Sequence, residues 1–290
     1  MDKKDIPLSM TVEKQISNLL KKKLTIHNED AAKEFLNKVS YYRFIKAYSI
    51  GLKTKNGNYN AGVTFEQLQK IYEFNSKLRQ ILFPVIEYIE ISLRCNLANY
   101  LCDTYGVLAY KNKNVFENEE YYNSMLADIS SELKKNKRNL FIKNFTQNYK
   151  GADIPLYALI EIFSFGMLSR CYANLKSGDK KIIALKVCKV GYTYYESWIK
   201  NIVHVRNICA HYGRIYNTKL KNAPNLYNEY SSISNYRIFA TILCMKHIVK
   251  DMSVLNSFKT SLLGLIEVYS EYINMDFIGF PDNWVELLGQ

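Results

Sequence analysis

Apolar residues recur at helical spacing through most of the chain. In the segment from 65 to 105 they follow one another three or four residues apart, which is the spacing of one buried face of an α-helix. These positions are Leu68, Ile71, Phe74, Leu78 and Ile81. Pro84 lies inside the same segment, where a proline kinks a helix or divides it in two. Because the other segments show the same periodicity, the sequence predicts an all-α fold.

Shorter helices are predicted on both sides of this segment. Residues 29–49 favour one or two short helices, and the Gly/Asn-rich stretch 53–64 favours a loop. Thr64 and Gln67 have the spacing of a capping box, as do Thr193 and Glu196. The remaining predictions are an amphipathic helix with basic connectors over 106–150, an apolar helix over 154–175 that opens at Pro155, two closing helices over 234–252 and 253–272, and an ordered C-terminal tail.

The segment 194–214 contains the strongest candidate for chemistry. On a helix, Trp198, Ile202, Val205 and Cys209 form one narrow apolar stripe, which is expected to face the core. The opposite side carries polar side chains, and Arg206 lies between the two faces. That polar side consists of Lys200, His204, Asn207, His211 and Arg214. It contains two imidazoles, an amide and two cations, without a carboxylate.

Two interpretations of this polar side remain open. It could be an ordinary solvated helix face, although such faces usually mix Glu with Lys. Alternatively it could be catalytic, since RNA cleavage needs only a proton-transferring group and a cation on the phosphate, the RNA supplying its own 2′-hydroxyl. Metal-dependent hydrolysis is not favoured, because the carboxylates or ligand clusters that it needs are lacking. No metal and no cofactor is therefore expected.

Length and composition are typical of a globular protein. The chain has 290 residues, and hydrophobic residues make up 48% of them, enough for a full core. No apolar run approaches the roughly 20 residues of a membrane span, and the N-terminus lacks the apolar stretch of a signal peptide. A cytoplasmic protein without membrane association is therefore expected. The six cysteines are far apart and without zinc-ligand spacing, so reduced core cysteines are expected.

Positive charge is concentrated in two windows. The net charge is +12, and no acidic residue occurs in 133–152 or in 197–228. The first window contains a basic run made up of Lys134, Lys135, Lys137 and Arg138. Such runs are either solvated surface or contacts to a polyanion. We therefore regard this run, together with His204, Arg214 and Lys200, as candidate RNA-binding residues.

Five segments, in order, resemble the Abi-like (abortive-infection) HEPN family. They are "VSYYRFIKAYS", "IYEFNSKLRQILFPVIEYIEISLR", "PLYALIEIFSFGML", "VRNICAHYGRIYN" and "GFPDNW". Within the fourth, "RNICAH" is similar to the R-x4–6-H motif of HEPN ribonucleases. Gly213 departs from the larger polar residue expected after Tyr212, and could end the helix just after His211.

The resemblance implies an HEPN-type helical bundle with additional N- and C-terminal helices, formed by one domain over 1–290. Its parts would be an N-terminal helical half (29–105), a basic connector region (106–153), a core half carrying the motif (154–275) and a tail (276–290). It also implies antiviral defence by a toxin-like, metal-independent endoribonuclease. Arg206 and His211 would be the catalytic pair and Asn207 the supporting polar residue. A structured non-coding RNA is an implied partner.

Since HEPN sites usually unite two motifs and this chain has one, a homodimer around a shared cleft is expected. The alternative function is a non-catalytic RNA-binding or interaction module that scaffolds a cognate RNA.

Three charged residues, Glu87, Glu90 and Arg94, lie on one helix face. Structural ion pairing is the favoured interpretation of these residues, and orientation of Arg206 is the alternative. His247 is expected to be a structural histidine.

Overall fold

The computed structural model describes residues 9–289, and it is helical as predicted. The first eight residues, on which the absence of a signal peptide partly rests, lie outside the described residues. The α-helices are α1 (Val12–Lys21), α2 (Glu29–Lys38), α3 (Phe65–Tyr105), α4 (Glu119–Lys135), α5 (Leu140–Asn148), α6 (Leu156–Leu159), α7 (Phe165–Ala173), α8 (Ser177–Cys188), α9 (Tyr192–Ala210), α10 (Ile238–Ile248), α11 (Met252–Tyr269) and α12 (Trp284–Gly289). Between residues 9 and 289 there is no strand, only three isolated β-bridges. No helix in this range is long and apolar enough to cross a membrane.

The chain divides into two compact units. The first comprises Met1–Arg79 and Leu263–Asn274. Within its described part, α1 packs on α2, and a cluster of edge-to-face rings forms around Phe44, which is fully buried. The Thr64 hydroxyl accepts a hydrogen bond from the Gln67 N–H at 3.0 Å, so the predicted cap at the start of α3 is confirmed.

The second unit comprises Gln80–Leu262 and Met275–Gln290 and is built around α9. Helices α7, α8 and α10 all pack on α9. Almost every residue of α10 is buried, as expected for a helix that is apolar on all sides. The C-terminal tail is ordered as predicted, since the Phe280 ring packs on the Phe239 ring with centroids 4.6 Å apart.

Several predicted boundaries were wrong. Residues 154–175 do not form one helix, because α6 and a short 3-10 turn (Ile160–Ile162) end at Phe163, which is extended, before α7 begins. The reason is local, since the Ser164 hydroxyl accepts the Met167 N–H and starts a new helix. Thr193 and Glu196 do not form a cap, because α9 already begins at Tyr192 behind Gly191.

Two further segments differ from the pattern-based expectation. Pro84 does not divide the helix, since α3 runs from Phe65 to Tyr105 as one helix, and the alternative that Pro84 kinks it stays a prediction. Residues 106–150 contain two α-helices, α4 and α5, instead of one. The predicted single domain over 1–290 and its internal parts stay predictions.

Candidate functional site

Helix α9 separates a buried face from a polar face, as the sequence predicts. Trp198, Ile202 and Val205 have no exposed surface, and Cys209 is 3% exposed. On the other side Lys200, Asn207 and His211 are exposed, whereas His204, Arg206 and Arg214 are half-buried. The predicted stripe is therefore confirmed, and α9 is anchored by large apolar side chains that leave its polar face accessible.

The helix stops at the predicted histidine through a specific backbone arrangement. His211 is the residue that caps α9, and Tyr212 then takes a left-handed conformation with φ 55°. The Tyr212 N–H donates to the Cys209 carbonyl at 3.1 Å and the Gly213 N–H to the Ile208 carbonyl at 2.7 Å. This pair of bonds is a Schellman motif, which satisfies the last carbonyls of a helix.

Gly213 is needed for this helix stop. A Cβ at position 213 would lie 2.9 Å from Ile208 Cγ2 and 3.1 Å from the Ile208 carbonyl oxygen. A larger residue therefore cannot approach the helix end so closely. The departure from the family pattern noted at this position has a structural reason, and it fixes where the His211 side chain leaves the helix.

A strap formed by residues 221–225 runs along the middle of α9, where it bonds to residues 197–204. Trp198 Nε1 donates to the Asn225 carbonyl at 2.6 Å, and the Ser197 hydroxyl accepts the Asn225 N–H at 2.9 Å. Asn201 donates to the Asn222 carbonyl at 2.6 Å. One further bond joins the strap to the polar face, since His204 Nε2 accepts the Lys221 N–H at 3.4 Å. His204 thus binds the protein's own backbone, and its predicted contact with RNA stays a prediction.

This strap is expected to loosen in mild acid. Burial and the nearby Lys221 ammonium lower the pKa of His204 below its ordinary value of 6.5. The neutral imidazole is therefore the folded form, and its stabilising contribution is complete above about pH 6.5 and declines as the pH falls below that value. Amide hydrogen exchange at Lys221 should accelerate in this window beyond its intrinsic pH dependence. In the His204→Gln variant, which keeps an acceptor that does not titrate, this extra acceleration should be absent.

Arg206 lies in a cleft of about 350 Å³ between α9 and α3, which we call the arginine cleft. Arg206 Nε is 3.9 Å from Glu90 Oε2, and the two side chains are 35% and 18% exposed. Glu90 also accepts a bond from Arg94 Nη2 at 3.1 Å. Structural ion pairing is therefore confirmed for Glu90 and Arg94. Glu90 also lies near Arg206, and its part in orienting Arg206 stays a prediction. Glu87 lines the same cleft and forms no ion pair with any described residue.

Arg94 connects this cleft to the break between α6 and α7. Its guanidinium donates to the Phe163 carbonyl at 2.9 Å and also to the Ile160 carbonyl. Both carbonyls lie at the break. The Ile160 carbonyl also accepts the Phe163 N–H at 3.1 Å, whereas carbonyls at a helix end generally need partners from outside the helix. A chain of contacts thus runs from the break through Arg94 and Glu90 to Arg206, and periodicity alone gave no indication of it.

The structure brings only some of the predicted site residues together. Within residues 9–289, no hydrogen bond or ion pair joins Arg206 to His211, and Asn207 points into solvent as an exposed side chain. Lys200 lines a different cleft, between α4, α7 and α9. The basic run lies at the end of α4 and in the turn after it, with all four side chains exposed and Lys135 paired with Glu132 at 2.6 Å.

His247 is half-buried and most of the cysteines are buried, away from the polar face of α9. The His247 ring stacks on Trp198 with centroids 5.6 Å apart, and its Nε2 is 3.1 Å from the Tyr230 hydroxyl, so its predicted structural role is confirmed. Four of the six cysteines are buried, Cys95 is exposed, and no disulfide joins any two of them in residues 9–289.

Comparison with known proteins gives one match. A family model described as Abi-like protein matches residues 34–217. No curated protein and no solved structure matches the chain. The matched span is more than half of the chain, and it contains the arginine cleft and the whole helix stop around His211.

Proposed function

Because the chain belongs to the Abi-like protein family, we propose that it is a metal-independent endoribonuclease that cuts single-stranded RNA with Arg206 and His211. Family membership supports abortive-infection phage defence in general. The observation that carries the finer proposal is the end of α9, where a half-buried arginine in the last turns is followed by an exposed histidine at the C-cap, in a sequence window without acidic residues. A phosphodiester carries negative charge, and a basic window is suited to receive it, while Glu87 and Glu90 of α3 line the cleft on the other side of Arg206.

The proposed step follows from the chemistry of RNA. One imidazole removes the proton of the 2′-hydroxyl, and the 2′-oxygen bonds to phosphorus while the bond from phosphorus to the 5′-oxygen breaks. The leaving 5′-oxygen takes up a proton, so that the products are a 2′,3′-cyclic phosphate and a 5′-hydroxyl. Arg206 stabilises the negative charge that builds on the phosphate oxygens, and His211 transfers a proton, as an imidazole does near neutral pH.

We also propose that two copies of the chain form one site. Five residues along an α-helix rotate the side-chain direction by about 140°, so Arg206 and His211 of one chain diverge. A homodimer that pairs the ends of two α9 helices would bring the arginine of one copy towards the histidine of the other. A structured non-coding RNA is proposed as a further partner, bound in part by the basic run.

The function is tested by incubating labelled single-stranded RNA with the purified protein in EDTA. Fragments that end in 2′,3′-cyclic phosphate are expected. RNA that is bound but stays intact under these conditions, with and without added Mg²⁺, would favour the alternative of a non-catalytic RNA-binding module. RNA that is cut only when Mg²⁺ is added would contradict metal independence.

Replacement of Glu90 tests whether it positions Arg206. Glu90→Gln keeps the shape and an acceptor for Arg94 but removes the charge that faces Arg206. We expect kcat for RNA cleavage to fall by about tenfold or more, since small displacements of a catalytic group have effects of that size. KM should change little, because most of the RNA contacts are elsewhere.

Glu87→Gln is the matched control, since Glu87 lines the same cleft but forms no ion pair with Arg206. Its kcat should stay close to that of the wild-type protein. If both variants lose activity equally, the cleft's total charge matters and the Glu90–Arg206 contact does not. If Glu90→Gln cleaves at the wild-type rate, Glu90 has only a structural role.

A further inference from the structure

A second cleft, which we call the Tyr121 cleft, lies between α4, α7 and α9 and encloses about 490 Å³. Met125 and Met167 form its floor and are 8% and 6% exposed, while Tyr121 stands at its side with 65% of its surface exposed. This volume lies within the range of small-molecule sites, which combine apolar walls with a few polar groups. An exposed tyrosine beside two thioethers offers a flat, polarisable surface to a ring.

The charged groups of this cleft leave one cation in excess. Arg170 is paired with Asp128 at 2.6 Å, and Glu196 is paired with a lysine of α8 at 2.8 Å. Lys200 is exposed and forms no hydrogen bond or ion pair with any residue in 9–289. The cleft therefore combines an apolar, ring-sized interior with an available ammonium at its edge, which suits a base and its phosphate.

Helix α9 connects this cleft to the end of the helix at His211. Lys200 and His211 are eleven residues apart, so their side chains leave the helix within about 20° of each other and about 16 Å apart along its axis. At 3.4 Å or more per nucleotide of a strand, that distance corresponds to at most about five nucleotides. The strap covers His204 on this side of α9, but Asn207, which also lies between Lys200 and His211, is exposed. A single strand cut at His211 could therefore pass over Asn207, beside the strap, and reach the Tyr121 cleft.

We propose that the Tyr121 cleft binds one base of the RNA substrate, a few nucleotides away from the scissile phosphate. The base stacks on Tyr121 above the two methionines, and Lys200 binds the adjacent phosphate. This proposal rests on the proposed function, and it adds a subsite that would select where the RNA is cut. A phosphate alone does not explain the apolar floor, whereas stacking of bases on aromatic side chains is common to proteins that bind single strands.

The test is an abasic scan with a variant that fills the cleft. Ser124 is an exposed residue of α4 that lines the cleft, and Ser124→Trp would occupy its interior; Asn123→Trp, on the adjacent exposed position outside the lining, is the matched control. A short fluorescein-labelled single-stranded RNA, and copies with one abasic position each, are titrated by anisotropy in a His211→Ala background, which keeps the RNA intact. Cleavage of the same RNA is measured without the His211 substitution.

The parent protein in the binding measurements is His211→Ala without a further substitution. With this parent, one abasic position a few nucleotides from the cut should weaken binding by about tenfold, as the loss of one stacked base does. In Ser124→Trp the unmodified RNA should bind about tenfold more weakly, and that abasic position should have no further effect. Asn123→Trp should behave like the parent. Tyr121→Ala should reproduce the loss of the positional effect if the tryptophan variant does not fold.

Other outcomes separate the two proposals. An unchanged abasic profile in Ser124→Trp, or an equal loss in both tryptophan variants, overturns the subsite, and RNA cleavage by the unsubstituted protein would leave the proposed function standing. A positional effect without any cleavage supports the subsite and contradicts the ribonuclease. Absence of RNA binding by the parent overturns both.

Discussion

Arg206→Ala and His211→Ala are each expected to lower RNA cleavage by about a thousandfold, which is within the range for loss of a proton-transferring group or of a charge-stabilising one. Neither substitution should unfold the protein, because both side chains leave α9 away from the buried stripe. After Arg206→Ala, Glu90 still has Arg94 as a partner. The measurements are the cleavage rate of labelled RNA and the helical content by circular dichroism.

The pattern among variants tests whether the two residues act together. The double variant should be no slower than either single one, since residues that act as a unit are non-additive. Arg206→Lys should recover only part of the rate, because an ammonium cannot reproduce the forked contact of a guanidinium with phosphate. Mixing the two inactive single variants should restore part of the activity if two copies share one site. Full activity of both alanine variants would show that neither residue takes part in cleavage.

Arg94→Ala is expected to give the largest loss of stability, about 3 kcal/mol. The Arg94 side chain is 14% exposed, and its removal takes the guanidinium donor from the Phe163 carbonyl and leaves Glu90 without its nearest cation. The Ile160 carbonyl also loses Arg94 but still accepts the Phe163 N–H at 3.1 Å. Breaking such a buried pair costs about 3–5 kcal/mol. Part of the loss is offset because Arg206 stays near Glu90. Urea unfolding followed by circular dichroism measures the change in the free energy of unfolding.

The matched comparison is Arg170→Ala. Arg170 is paired with Asp128 at 2.6 Å, but its side chain is 65% exposed, and exposed pairs contribute at most about 1 kcal/mol. If the two arginine variants are equally stable, the carbonyls at the break are satisfied by other groups, and the contact chain from the break to Arg206 does not hold the site in place.

The sequence could predict features that depend on residues close together along the chain, but not features that depend on residues far apart. The stripe on α9 and the cap at Thr64 depend on residues a few positions apart, and periodicity or cap chemistry indicates such features directly. The break at Phe163 was missed because the apolar run continues through it, and only Ser164 and the distant Arg94 make two helices more favourable than one. Glu90 lies near Arg206 because residues of α3 and α9, far apart in sequence, line the same cleft. From the sequence, only the opposite charges of the two residues suggested that they could be paired.

The helix stop at His211 also bears on insertions and deletions. An added or lost residue between Arg206 and Ile208 would turn everything after it by about 100° relative to the arginine. The two bonds that close the helix join residues 208–213, so they would re-form in the shifted position, and His211 would leave the helix in a changed direction relative to Arg206. We therefore expect the spacing of this arginine and histidine to be intolerant of changes in chain length, although the loop beyond the strap could accept them. In a single-codon insertion library across residues 200–235, selected for activity, we expect tolerated insertions to be absent from Arg206 to Gly213.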